Sequence, residues 1–547
     1  MRILSILASL LLLGGCGDDS STTLDGGEDR GVDAADANDV DEGMGDAAPD
    51  DGARDAPEDT DAPDADAVDM ADAGPPDPCE GALGLRCDAL TDSLTSDYLK
   101  AFNTEEMDAF GTAVAADGDV IAVGAPREDS DASGVDGDQD NNEAPDRGAV
   151  YVYRRDPVNG WEEEAYLKPP EGQAIVRFGT ALALEGNTLV VGGSPSFVFE
   201  FGPAGWSQTA ELRSDNFSPI DNFGVDVDIS DDRIAIGAHF ESGSGSGIDP
   251  VDDDAAGNSG AVYVFVRTDD GWTQEAYIKA SNTDRGDQFG KLVALDGDVL
   301  AVGAPVESSS ATGVNGPQDN NDAPFTGAVY VFRRGAGGWA QEAYIKAENP
   351  TASPTSSSGV GGDRFGNQSL AVFGDTIVVG VPEEDSDAVG VGGDDANDAA
   401  PQSGAVFVYR FDGDSSWALE AYLKASNSVQ GVLFGWSVAM APNLIAASSP
   451  IERSAATGVG GNELDDTATS AGAVYLFARV GSEWTQVAYV KASNTQREDR
   501  FGWSLDFGER SLVVGADQED SDATGVGGDE ENDEEFNSGA AYAFGAR

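Results

Sequence analysis

Two acidic stretches of this sequence repeat the spacing of oxygen ligands found in calcium-binding loops. One runs from Asp129 to Asp140 and the other from Asp520 to Glu531. Both place side-chain oxygens at loop positions one, three and five, glycine at six and a carboxylate at twelve. Hard oxygen ligands suit Ca2+, glycine permits the sharp turn, and position seven supplies a backbone carbonyl. The predicted ligands are Asp129, Asp131, Ser133, Val135 and Asp140 in the first loop, and Asp520, Asp522, Thr524, Val526 and Glu531 in the second.

A third stretch carries only part of this pattern. Asp385 and Asp387 occupy the first and third positions, but Val389 and Ala396 stand where later ligands would be. The related stretches ESGSGSG, ESSSATG and ERSAATG mostly lack carboxylates. Calcium is therefore the one cofactor that we predict, and solvated acidic loops are the alternative.

The composition excludes several other kinds of chemistry. The chain has 101 acidic and 30 basic residues and a formal charge of −71, so it would repel nucleic acid and anionic lipid head groups. His239 is the only histidine, which excludes His-based triads and His-rich metal sites. We predict that the chain is not an enzyme. A paired-carboxylate hydrolase is the less favoured alternative.

The elements that would hold the acidic loops recur along the chain. Each unit begins with Phe-Gly and continues to an apolar run that ends near Gly-Ala-Pro. A second apolar run such as GAVYVF follows, and then a Trp that stands shortly before Tyr-(Leu/Ile/Val)-Lys. Short runs of Val, Ile, Tyr and Phe between turn residues indicate strands, and Asp-Gly pairs suit tight hairpin turns. Each unit therefore predicts four antiparallel strands, with the acidic loop between the second and third. The Phe-Gly pairs begin at Phe110, Phe178, Phe223, Phe289, Phe365, Phe434 and Phe501.

The two ends of the repeat region complement each other. Residues 95–101 match only the fourth strand of a unit, whereas the last unit stops after its third strand, at Phe544. Seven four-stranded sheets can close radially into a propeller, which protects their edges. The predicted fold is therefore an all-β, seven-bladed β-propeller of four-stranded antiparallel blades, with the seventh blade closed by the N-terminal strand.

Phe-Gly followed by Gly-Ala-Pro resembles the FG-GAP repeats of the integrin α-subunit propeller and of many bacterial surface proteins. The resemblance covers residues 95–547. It implies a propeller and, in integrin-type blades, calcium held by a D-x-D-x-D-G loop between the first and second strands. The equivalent turns here, such as ADGD at 116–119 and LDGD at 295–298, are too short for that loop.

The N-terminus resembles the signal of a bacterial lipoprotein. Arg2 precedes an apolar run that is too short for a mature membrane span and ends in Leu-Gly-Gly-Cys at Cys16. The resemblance implies cleavage before Cys16 and lipid attachment to its sulfur, and an ordinary secretory signal is the alternative.

Export to an oxidising compartment predicts a disulfide between Cys79 and Cys87. The predicted segments are a signal peptide at 1–15, an acidic disordered tether at 16–78, a Cys-bridged segment at 79–94 and the propeller at 95–547.

Two further patterns have structural explanations. Arg285-Gly286-Asp287 occupies the register of DRFG elsewhere and reads as repeat variation rather than as an integrin-binding tripeptide. Lysines recur on the outermost predicted strands, where charge would blunt an exposed sheet edge. These lysines are Lys168, Lys279, Lys346, Lys424 and Lys491.

The function that we predict is a lipid-anchored, extracytoplasmic binding or adhesion module of a bacterial cell envelope. Its partner would be a protein or a glycan, its only membrane contact the lipid anchor, and its expected state a monomer. A passive structural surface protein with solvated acidic loops is the alternative.

Overall fold

The computed structural model describes residues 77–172, 177–351, 362–414 and 416–546. The predicted signal peptide, Cys16 and nearly all of the predicted tether lie outside these residues. Within them, no helix has the length and apolar character needed to cross a lipid bilayer.

Short helices precede the first strand. They are α1 (Pro78–Leu83), a 3-10 turn (Cys87–Ala89) and α2 (Leu90–Ser93). Cys79 and Cys87, which the sequence predicts to pair, are joined by a disulfide. Asp77 accepts the backbone N–H groups of both cysteines, at 3.1 Å each, so this short segment is fixed just before the propeller.

The described residues contain 29 strands in seven antiparallel sheets, which are the blades. The first strand is β1 (Thr95–Leu99). Blade one has β2 (Ala113–Asp117), β3 (Val120–Ala125), β4 (Ala149–Asp156) and β5 (Gly160–Leu167). Blade two has β6 (Leu182–Glu185), β7 (Thr188–Val191), β8 (Ser196–Gly202) and β9 (Gly205–Leu212). Blade three has β10 (Phe223–Ser230), β11 (Arg233–Ala238), β12 (Gly247–Ile248), β13 (Ala261–Thr268) and β14 (Gly271–Lys279).

The remaining blades repeat this plan. Blade four has β15 (Leu292–Asp296), β16 (Val299–Ala304), β17 (Ala328–Gly335) and β18 (Gly338–Ile345). Blade five has β19 (Ser369–Phe373), β20 (Thr376–Val381), β21 (Ala405–Phe411) and β22 (Trp417–Leu423). Blade six has β23 (Val438–Ala441), β24 (Leu444–Ser449), β25 (Ala473–Val480) and β26 (Glu483–Val490). Blade seven has β27 (Ser504–Gly508), β28 (Ser511–Ala516) and β29 (Ala540–Gly545).

The seven blades form a closed ring. β1 pairs antiparallel with β29, with Tyr98 opposite Tyr542, and so becomes the outermost strand of blade seven. The innermost strands touch in a cycle that runs from β2 through β6, β10, β15, β19 and β23 to β27 and back to β2. Each of the seven apolar clusters of the described chain lies between two neighbouring blades. The predicted fold class and the predicted closure by the N-terminal strand are confirmed.

The Phe-Gly and Gly-Ala-Pro motifs meet where two blades touch. Phe289 is fully buried between blades three and four, and the amide of Gly290 donates to the carbonyl of Gly303 at 3.0 Å. Gly237 of blade three lies so close that a Cβ there would stand 2.1 Å from the Gly290 carbonyl oxygen. Gly260 has φ +85°, and a Cβ on it would stand 1.9 Å from the Phe289 carbonyl oxygen. The motif glycines are therefore required by close backbone approach.

Four of the six repeat-position tryptophans join the outer strands of neighbouring blades. Trp339 of blade four donates its indole N–H to Glu275 of blade three at 3.1 Å, and Arg334 also binds Glu275 at 2.7 Å. Burial alone raises the pKa of Glu275, but hydrogen bonds from Arg334, Arg233 and Trp339 hold it below its ordinary value. Equivalent indole-to-carboxylate bonds are Trp206 to Glu164, Trp417 to Glu342 and Trp484 to Glu420.

Carboxylates on the innermost strands join neighbouring blades around the central channel. Asp226 and Asp228 of β10 accept the backbone N–H groups of Val293 and Leu295 of β15, at 2.8 and 2.6 Å. Asp506 of β27 accepts the N–H of Ala116 of β2 at 2.8 Å. Burial raises the pKa of Asp226 to about 6, of Asp228 to about 8 and of Asp506 to about 7, although these hydrogen bonds act in the opposite direction.

Candidate binding face

One face of the ring carries all of the long loops, and we call it the loop face. In an antiparallel blade, the loop between the second and third strands and the connection to the next blade emerge at the same end. Blade two has only a short turn at 192–195 in place of the long loop. The long loops are residues 126–148, 239–260, 305–327, 382–404, 450–472 and 517–539. Within the described residues, the connections are 100–112, 168–172 with 177–181, 213–222, 280–291, 346–351 with 362–368, 424–437 and 491–503.

Each long loop returns to the outermost strand of its own blade. In blade four, Val314 bridges Ile345, and the N–H of Asn315 donates to the Tyr344 carbonyl at 2.7 Å. The N–H of Lys346 donates to the carbonyl of Gly313 at 2.9 Å. In blade three the same segment is long enough to count as the extra strand β12. The loops therefore cover one end of each outer edge, and blade two lacks this cover. The equivalent bridges are Val135 to Leu167, Val391 to Leu423, Val459 to Val490 and Val526 to Leu99.

A buried ion pair lies under each long loop. In blade four, the Nζ of Lys346 contacts Glu307 Oε2 at 2.7 Å and Thr326 Oγ1 at 2.6 Å. Glu307 Oε1 also accepts the side-chain N–H of Asn282 at 3.1 Å and the backbone N–H of Ser309 at 3.0 Å. Burial lowers the pKa of the Lys346 ammonium, and Glu307 acts in the opposite direction. The cluster thus joins the loop, the outermost strand and the incoming connection through one carboxylate.

The same pair recurs in six of the seven blades described. All six lysine side chains are fully buried, and their glutamate partners are at most 7% exposed. Buried charges of this kind are tolerated only when they are paired and fully hydrogen-bonded. The pairs are Lys100–Glu519, Lys168–Glu128, Lys279–Glu241, Lys346–Glu307, Lys424–Glu384 and Lys491–Glu452.

The prediction that these lysines blunt exposed sheet edges is wrong. The loop lies over the end of each outermost strand, so the lysine points into the space beneath the loop rather than into solvent. Blade two supports this explanation, because it lacks both the loop and the pair. Its residue at the lysine position, Arg213, is 41% exposed and binds Glu211.

The structure places the predicted calcium ligands on the outer part of the loops. The position-one residues Asp129, Asp385 and Asp520 are half-buried, and each accepts the backbone N–H of the residue seventeen positions later. Burial raises the pKa of Asp385 and of Asp520. The remaining side-chain ligands are exposed, apart from Ser133, which is half-buried; they are Asp131, Asp140, Asp387, Asp522, Thr524 and Glu531.

In each of these loops, an asparagine side chain one residue after the predicted twelfth position accepts a backbone N–H from the third position. The backbone N–H of Asp131 donates to Asn141 Oδ1 at 3.1 Å, and Asp522 donates to Asn532 at 2.9 Å. Ser310 in blade four, which has no carboxylate there, makes the same bond to Asn320 at 3.0 Å. The loop conformation is therefore common to blades with and without the predicted ligands.

The predicted carboxylates of a loop are not gathered around one point. Among the described residues, three acidic, cysteine or histidine ligand atoms come within 4.8 Å of one another only at Asp77, Cys79 and Cys87, where both sulfurs are in the disulfide. Calcium binding would require the side chains of Asp129, Asp131 and Asp140 to come closer together. Calcium binding by these loops stays a prediction.

The Arg285-Gly286-Asp287 tripeptide does not present its carboxylate. Asp287 is 5% exposed, and its Oδ2 accepts the backbone N–H of Asp284 at 3.0 Å. Burial raises the pKa of Asp287 to about 7. Asp287 therefore stabilises the connection between blades three and four. This agrees with the interpretation of the tripeptide as a variation of the repeat.

Exposed apolar side chains are concentrated on the loop face. Twelve large apolar residues of the described chain are exposed, and nine of them lie in the loops or connections of this face. The other three, Val158, Phe373 and Val480, lie at the opposite end of the blades. A cleft of about 580 Å3 in blade six is lined by two of the nine, Val429 and Leu464, and by acidic groups and Arg453. The nine are Met107, Ile220, Val251, Val389, Val391, Val429, Leu464, Val526 and Phe536.

Sequence reasoning missed the ion pairs and one aromatic pair. The available signal for the ion pairs lies in blade two. That blade lacks the lysine after its fourth strand and also lacks the glutamate that other blades carry two residues after the Gly-Ala-Pro position. The aromatic pair is Trp436 and Trp503, whose ring centroids lie 4.7 Å apart. Both follow Phe-Gly directly, outside the position shared by the other six tryptophans of the propeller.

Comparisons with known proteins agree with this architecture. The family described as FG-GAP repeat matches residues 98–153, 206–265, 272–332 and 484–544. Each match begins on the outermost strand of one blade and ends in the third strand of the next. No curated protein matches the chain. The chain is similar to the solved structure titled "Structure of U3-55K", with 9% identity over 82% of this chain and 98% of that chain and a TM-score of 0.43. The chain therefore contains FG-GAP repeats in four places, and its described residues form a seven-bladed β-propeller.

Proposed function

We propose that this protein is a lipid-anchored, extracytoplasmic binding module that contacts a protein or a glycan through its loop face. The observation that carries the proposal is the unequal distribution of exposed apolar residues, nine on the loop face and three on the opposite one. Two of the nine, Val429 and Leu464, line one cleft together with acidic groups and Arg453, and contiguous apolar groups rimmed by polar residues mark interaction sites. The FG-GAP repeat itself indicates a module of the binding or adhesion type.

The loops are held in place in a way that suits recognition. Each long loop is fixed by a buried ion pair beneath it and by a backbone bridge at its side. A loop that is ordered before binding loses less conformational entropy when a partner docks. Blade two keeps its four strands without a long loop, so the fold does not require these loops.

The proposed cellular location rests on the sequence. The lipobox-like Leu-Gly-Gly-Cys16 supports an anchor at the N-terminus, and the acidic residues 17–78 support a tether that holds the propeller away from the membrane. The charge of −71 favours neutral or basic partners. The module is proposed to act without catalysis and as a monomer.

Two triple variants test the proposal. Labelled full chain is applied to arrays of extracellular proteins and glycans, together with Val251→Asp/Leu464→Asp/Phe536→Asp on the loop face. The matched control is Val158→Asp/Phe373→Asp/Val480→Asp on the opposite face. We expect at least one ligand whose binding the loop-face variant abolishes and the control keeps. If no ligand binds, or if both variants lose it equally, the passive structural reading replaces the proposal.

A further inference from the structure

The loop-face end of the central channel carries two tryptophans on neighbouring blades. Trp503 directly precedes the innermost strand of blade seven, and Trp436 stands two residues before the start of the innermost strand of blade six. Their ring centroids lie 4.7 Å apart with the planes tilted by 43°. Both are half-buried, and neither belongs to any of the seven apolar clusters between the blades.

The fold does not require indoles at this position. The residue after Phe-Gly differs from blade to blade, and small, polar or charged side chains occupy it elsewhere in the ring. Two adjacent tryptophans therefore need an explanation other than blade packing. The equivalents are Thr112, Thr180, Val225, Lys291 and Asn367.

One polar group, Arg500, stands beside Trp503, and a second, Asp517, stands beside Arg500. The guanidinium of Arg500 lies over the Trp503 ring, 5.0 Å from its centroid, and 3.9 Å from Asp517 Oδ2. Asp517 is 9% exposed, and its Oδ1 has no hydrogen-bond partner. Other blades carry Pro126, Pro305, Pro382 or Pro450 at its position, so the fold does not require this carboxyl group either.

We propose that Trp436, Trp503, Arg500 and Asp517 form a binding site for a neutral saccharide at the mouth of the channel. A sugar ring offers an apolar C–H face that stacks on an indole, and hydroxyl groups that bind a guanidinium and a carboxyl oxygen. A cationic ligand is disfavoured because the guanidinium of Arg500 would repel it. A polyanion is disfavoured by the charge of −71. This inference rests on the proposed function, because it names a ligand class for the same face.

The test uses four neutral hexasaccharides, namely cellohexaose, maltohexaose, laminarihexaose and chitohexaose. Binding to the full chain is measured by titration calorimetry and by tryptophan fluorescence. The variants are Trp436→Thr and Trp503→Thr, alone and together, because threonine stands at this position in blades one and two. Thr180→Ala in blade two is the control at the same position, separated from blade seven by blade one. Melting curves confirm that each variant is folded.

We expect at least one hexasaccharide to bind and to change the fluorescence. Each Trp→Thr change should weaken its binding about tenfold or more, Asp517→Asn should weaken it less, and Thr180→Ala should leave it unchanged. The inference is overturned if none of the four binds, or if the double variant binds as tightly as the parent chain. If the hexasaccharides fail while the array ligand still depends on Val251, Leu464 and Phe536, the proposed function stands without this site.

Discussion

Lys346 and Glu307 form an ion pair with 2.7 Å between Nζ and Oε2, and neither side chain is more than 1% exposed. Lys346 follows the outermost strand of blade four, and Glu307 stands near the start of its long loop. The pair therefore fixes the loop to the edge of the blade. Because the arrangement recurs in six blades, it gives the loop face a common geometry while the loop sequences vary.

Removing one partner of this pair should be costly. Lys346→Met leaves Glu307 charged and buried without its cation, and we expect a loss of about 3–5 kcal/mol in the free energy of unfolding, measured with denaturant. Lys346→Met/Glu307→Gln leaves no uncompensated charge and should recover about 1–3 kcal/mol of that loss. Arg213→Met, at the same position in blade two, is exposed and should cost about 0.5 kcal/mol or less. Equal losses in the single and double variants would contradict the coupling.

Ring closure by the N-terminal strand predicts a large effect of a short deletion. Removing residues 77–101 exposes β29, removes the buried Tyr98 and Leu99, and leaves Glu519 without Lys100. Burial of the two side chains and the ion pair together predict a loss of about 5 kcal/mol or more, seen as a lower Tm. Removing residues 1–76 is the control and should leave Tm unchanged. A deletion of 77–101 that melts like the control would rule out closure by this strand.

The channel carboxylates predict how stability depends on pH. Burial raises the pKa of Asp506 to about 7 in the folded chain, above the ordinary value of 3.8. Its contribution to stability is therefore fully present below pH ~4 and is lost as the pH rises through ~7. Asp506→Asn removes this titration, so the variant should lose about 2–3 kcal/mol less than the parent chain between pH 5 and pH 8.

A matched substitution controls that comparison. Asp119→Asn changes an exposed aspartate in the turn after β2 and should keep the pH dependence of the parent chain. Denaturant unfolding at both pH values measures the difference. The same slope in Asp506→Asn and in the parent chain would show that this carboxyl group titrates as an ordinary exposed aspartate.

The calcium prediction has its own titration. If the loops of blades one and seven bind Ca2+, millimolar calcium should release heat and raise the Tm of the full chain, by mass action. Asp131→Asn and Asp522→Asn remove a predicted ligand charge each and should weaken both effects. Ser310→Ala in blade four, whose loop has no carboxylate there, should change neither. No heat and no change in Tm at millimolar calcium would remove the prediction.

The sequence predicts the architecture well because its signals are local and repeated. Phe-Gly, the Gly-Ala-Pro run and Asp-Gly turns mark strand ends, and the unmatched ends at 95–101 and Phe544 indicate closure. These features depend on backbone conformation and strand period, which neighbouring residues determine.

The surroundings of the lysines depend on a longer-range contact. Lys346 lies 39 residues from Glu307, and only the returning loop brings them together. A lysine at the end of an edge strand is predicted to be exposed when the position of the loop is not known. The joint absence of both residues from blade two was the available signal. Trp436 and Trp503 likewise meet only because blades six and seven are neighbours in the ring.

Hydrogen exchange of the loop amides tests most directly whether the buried pairs fix the loop face. In the parent chain, the amide of Asn315, which donates to Tyr344, should exchange slowly, as should that of Gly392 in blade five, which donates to Tyr422. In Lys346→Met, exchange at Asn315 should accelerate while Gly392 stays protected. Fast exchange at Asn315 in the parent chain, or unchanged protection in Lys346→Met, would contradict the account.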